Sequence, residues 1–63
     1  MFKKSHIDAL FGELNNDYKE NPDSEQLHRD AHLAIALHDA GRPLGDNISA
    51  TVKELIEKHK PQD

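Results

Sequence analysis

Cysteine is absent from this chain of 63 residues, and so is tryptophan. Without thiols no disulfide can staple the fold and no thiolate zinc site can hold it. Aromatic side chains are confined to Phe2, Phe11 and Tyr18. No run of 18 apolar residues occurs, which excludes a membrane-crossing helix. The opening Met1-Phe2-Lys3-Lys4-Ser5-His6 has two lysines but no apolar stretch behind them. It does not read as a signal peptide, so a cytoplasmic location is the expectation. A basic excess is lacking as well. Twelve acidic and eight basic residues leave an acidic chain of formal charge −4, which counts against nucleic acid and anionic membrane as partners. The five histidines would carry the charge from −4 to +1 if all were protonated, so the electrostatics respond to pH around 6 to 7.

What is present is helical periodicity in three segments, and the expected fold is all-α, a small three-helix bundle with helices at about 5–19, 22–40 and 47–59. Residues 1–63 read as a single domain with a frayed tail from about residue 60. In the first segment Ser5 and Asp8 fit a capping box, and Ile7, Leu10, Phe11, Leu14 and Tyr18 form one stripe. Gly12 weakens that helix by about 1 kcal/mol relative to alanine. Asn21-Pro22-Asp23-Ser24 is the first break, with Asn21 as the expected cap and Pro22 as the first helical residue, and with Asp23 or Ser24 as alternative caps. The second helix places Leu27, Ala31, Ala34, Ile35 and His38 on one face, with Leu33 and Leu37 on the adjoining one. So wide an apolar arc marks it as the central element, touching two neighbours. Gly41 is the expected C-terminal cap, and the loop through Pro43 and Gly45 tucks Leu44 inward. The third helix carries Ile48, Val52, Leu55, Ile56 and His59, with Lys58, His59 and Lys60 at the end where cations are favoured.

Several constellations could carry chemistry. His28 and His32 are four apart and share a helix face, a spacing that can bind zinc or nickel. Asp39 lies about 10.5 Å further along the axis and cannot join the same ion, so a third ligand would have to come from His6, His59 or a second chain. The plain reading is a polar flank, with no metal and no cofactor. His38-Asp39 resembles the His-Asp pair of metal-dependent phosphohydrolases, but nothing else of that pattern accompanies it. His38 points into the apolar stripe, where one hydrogen bond would satisfy it. Asp39 opposes the helix dipole, and Arg42 or Arg29 is its expected partner; a residue held against local preference also hints at a tertiary or intermolecular role. Ser5, Ser24 and Ser49 sit at helix starts, where capping explains them. Gly41 and Gly45 match no phosphate loop. A helix-turn-helix wants a turn of three or four residues, whereas the second break is longer and the third helix exposes a mixed face of Lys53, Glu54, Glu57 and Lys58. Acidic mimicry of DNA needs a denser carboxylate array than this chain has.

The resulting expectation is a non-enzymatic protein–protein interaction module or small regulator, with either a protein partner or a second copy as a homodimer. The alternative is a metal-responsive or nucleic-acid-binding regulator. The expected interface residues are Phe2, Leu33, Leu37, His38, Asp39, Arg42 and Leu44, and some apolar side chains should stay exposed in an isolated monomer, with Phe2, Leu33, Leu37 and Leu44 as the candidates.

Overall fold

The computed structural model describes residues 1–61, and these form a three-helix bundle: α1 (Lys4–Tyr18), α2 (Ser24–Asp39) and α3 (Ala50–His59). There is no strand among the described residues. Each helix packs on the other two. The core is the expected stripes turned inward: Leu10 and Leu14 from α1, Leu27, Ala31, Ala34 and Ile35 from α2, and Val52, Leu55 and Ile56 from α3. Each large aliphatic chain buried this way is worth about 1.5–3 kcal/mol. Two further members come from outside the helices, Phe2 and Ile48. Ile7, Phe11, Tyr18 and Leu44 close the edges.

The helix ends differ from expectation where tertiary contacts override local preference. Lys3, not Ser5, is the N-cap of α1. Ser5 is exposed in the first turn, and His6 Nδ1, rather than Asp8, accepts the Lys3 N–H, at 3.4 Å. The reason lies one residue earlier. Phe2 is drawn into the core, and its anchoring sets where the chain enters the helix.

Pro22 does not open α2, and Asn21 does not cap it. Asn21 Oδ1 accepts the Asp23 N–H at 2.8 Å, and the Asn21 carbonyl accepts the Ser24 N–H at 3.0 Å. The asparagine thus closes a turn of its own, and the helix begins at Ser24 with Asp23 as N-cap. Its other end is as expected. Gly41 takes φ +74°, a conformation open to glycine at little cost. The Gly41 N–H then reaches the His38 carbonyl at 3.0 Å and the Arg42 N–H reaches the Leu37 carbonyl at 2.9 Å, the paired bonds of a Schellman stop.

α3 begins at Ala50, later than expected. Ser49 is its N-cap, and its hydroxyl accepts the Val52 N–H at 3.4 Å. Ile48 therefore reaches the core from the segment before the helix. Asp30 on α2 fixes this start: it is buried, 7% exposed, with Oδ1 accepting from Gln26 Nε2 at 2.9 Å and Oδ2 accepting the Ser49 N–H at 3.4 Å. A buried carboxylate needs such donors. At the far end the Lys60 N–H donates to the Ile56 carbonyl at 2.8 Å, and Lys60 and Pro61 are half-buried. The rest of the expected frayed tail, Gln62 and Asp63, lies outside the described residues.

Candidate interaction face

α2 has more apolar surface than its two neighbours cover. Its inner face, Leu27, Ala31, Ala34 and Ile35, is buried. Its outer face carries a second strip. Leu33 is 48% exposed, Ala36 and Ala40 are exposed, and Leu37 is half-buried. These four fall at i, i+3, i+4 and i+7 and so form one continuous ridge, about 10.5 Å long at 1.5 Å per residue. Leu33 and Leu37 were expected there. Ala36 and Ala40 were not, although the same spacing rule, applied to Leu33, identifies both. Polar residues bracket the ridge: Glu25 and Arg29 toward its start and Arg42 just beyond its end, all exposed. None of these three makes an ion pair among the described residues.

The other expected interface residues divide. Phe2, expected to stay exposed, is 6% exposed and belongs to the core. Its N–H donates to Asp39 Oδ1 at 2.8 Å. This bond accounts for a carboxylate at the disfavoured end of α2, and it takes the place of the expected pairing with Arg42 or Arg29. The Phe2 ring meets His38 edge-on at 4.9 Å and His6 at 6.5 Å. His38 does not make the expected hydrogen bond at Nδ1, which is buried without a partner, 3.6 Å from Asp39 Oδ1. Phe2, His38 and Asp39 thus form a clasp that ties the N-terminal segment to the end of α2. Leu44 is half-buried against the core.

The remaining histidines are drawn into packing. His28 Nδ1 donates to the Ser24 carbonyl at 2.8 Å, and its Nε2 lies 2.8 Å from the Asn15 side-chain amide. Both His28 and His32 lie over Phe11, at 5.7 and 4.7 Å between ring centres. Among the described residues no three histidine, aspartate or glutamate side chains converge where they could hold an ion. His59 Nε2 and Lys58 Nζ both donate to Glu13 Oε1, at 3.2 and 2.8 Å, which ties α3 to α1. The hydrogen bond from Lys58 holds the Glu13 carboxyl below its ordinary range, and the same contact holds the Lys58 ammonium above its own. No pocket opens in the surface of the described residues, and no helix is long and apolar enough to cross a membrane. Among the described residues the exposed large hydrophobic side chains are Met1 and, on the α2 ridge, Leu33.

Comparison with known protein families, with curated proteins and with solved structures finds no match to this chain.

Proposed function

We propose that this chain is a small, non-enzymatic, cytoplasmic protein–protein interaction module that uses the outer face of α2. The observation that carries the reading is the Leu33–Ala36–Leu37–Ala40 ridge, open at Leu33, Ala36 and Ala40 and half-covered at Leu37, on the far side of α2 from the buried core. Apolar residues repeating at helical spacing are the usual anchors by which a helix is recognised in a partner's groove or against a partner helix. The two alanines contribute by omission. They let another backbone approach, while Leu33 supplies a side chain able to fill a hollow. Interfaces of this kind draw most of their affinity from a few central apolar groups.

The test is a photo-crosslinking amino acid placed at position 33, with the same group at exposed Asn16 on α1 as control. The reading expects adducts with one defined protein, whether another protein or a second copy, from position 33 only. Equal and diffuse labelling from both positions would contradict it.

A further inference from the structure

We infer that Asn15 and His28 form a latch between α1 and α2 that stays closed whether or not His28 carries charge, because the Asn15 amide turns over when the ring takes up a proton.

The roles follow from which atoms can donate. His28 Nδ1 lies 2.8 Å from the Ser24 carbonyl. A carbonyl only accepts, so Nδ1 holds a proton in either charge state. Nε2 is therefore the atom that changes. It is an acceptor in the neutral ring and a donor in the imidazolium. Its partner across the seam is the Asn15 side chain, with Oδ1 at 2.8 Å, the orientation that suits the protonated ring. A primary amide carries its donor and its acceptor at nearly equivalent positions. Half a turn therefore offers Nδ2 to the neutral ring at the same place. Asn15 is exposed, so the turn takes place against solvent. A carboxylate could not serve both states, because when ionised it only accepts.

The surroundings of the ring permit the charge. From α1, Phe11 stacks on it at 5.7 Å and 21° between planes, and an aromatic face attracts a cation. From α2, His32 is the titratable group that shares Phe11, at 4.7 Å; charge on both histidines would repel modestly at this i, i+4 spacing. Among the described residues no carboxylate pairs with either His28 nitrogen, and α3 brings no hydrogen-bonding group to them. Neither an acidic partner nor a buried void is then needed to hold the seam as pH crosses the histidine range. The amide alone adapts.

Nitrogen-15 NMR of the imidazole rings and side-chain amides of the full chain, from about pH 8.5 to pH 5, tests this. His28 should carry its proton on Nδ1 at the alkaline end, with Nε2 bare, and on both nitrogens at the acid end. One Asn15 Nδ2 proton should resonate downfield of a free amide at the alkaline end and return to the free position along the same titration curve as the His28 ring. Asn15→Asp removes the donor and keeps the acceptor, so only protonated His28 can close the seam. Its melting temperature, relative to the parent, should rise by about 4 °C on acidification through that curve, the shift one ordinary hydrogen bond produces in a domain of this size. In a His28→Gln background the same substitution should show no such trend. A neutral ring protonated on Nε2 overturns the donor assignment. An Asn15 amide that does not follow the His28 titration overturns the turnover. A pH trend of equal size in the His28→Gln background overturns the latch.

Discussion

Ala31 and Ala36 are the same residue on the same helix, yet Ala31 has no exposed surface and Ala36 faces solvent. The contrast runs the length of α2. The inner face is closed by α1 and α3 and held by polar anchors near its middle and at its C-terminal end, Asp30 to Ser49 and Asp39 to Phe2. The outer face carries an apolar ridge of similar period, open at Leu33, Ala36 and Ala40 and half-covered at Leu37. A helix needs only one such face to fold into this bundle. The second is surplus to folding, and that surplus is the basis for assigning it to recognition.

The largest expected effect breaks the inner face. Ala31→Asp places a carboxylate at a position with no exposed surface, at a cost of several kcal/mol. Small domains have little stability in reserve, so a urea titration should show no cooperative transition. Ala36→Asp, five residues on, should leave the transition within about 0.5 kcal/mol of the parent. Next in size is the clasp. Phe2→Ala should cost about 3 kcal/mol by urea denaturation, since it empties a core position. Asp39→Ala, which removes only the acceptor of the Phe2 N–H, should cost about 1 kcal/mol. Equal small effects for both would show that the N-terminal segment does not contribute to the core. Gly41→Ala should cost about 1 kcal/mol, through its φ of +74° alone, because a Cβ there would meet nothing within 4 Å.

The smallest effect concerns Glu13. Its carboxyl is held below the ordinary value of 4.5 by Lys58 and His59, so the unfolded chain binds the proton first. The stabilisation is present above the ordinary value and is lost as pH falls through the lowered folded one. Melting temperatures of the parent and Glu13→Gln should therefore differ at pH 7 and converge toward pH 3. A constant gap would contradict the role assigned to that contact.

Much of this architecture is legible in the sequence, because period and punctuation act locally. The three stripes, the wide arc of the second helix and the Gly41 stop all follow from residue spacing and backbone preference. The errors lie at the helix starts. Ser5, Asn21 and Pro22 are good local signals for helix starts, but the starts of α1 and α3 go with contacts distant in sequence, Phe2 in the core and Asp30 on Ser49, and that of α2 with a competing local turn closed by Asn21. Phe2 lies before its helix, outside any periodic stripe, so nothing in the pattern marks it as buried. Asp39 was legible as an anomaly only, since its partner lies 37 residues away. Of the proposed face, Leu33 and Leu37 are visible as a ridge separate from the core stripe. Ala36 and Ala40 are hidden by their size, because an alanine gives little hydrophobic signal on either face.

The most direct test of the two-faced account of α2 is the broadening of alanine and leucine methyl resonances by a soluble paramagnetic chelate, measured in dilute solution. In dilute solution the Leu33 and Ala36 methyls should be strongly broadened and those of Ala31 and Ala34 untouched. Protection of Leu33 and Ala36 already in the dilute monomer would mean the outer face is covered within one chain, and the account would fail.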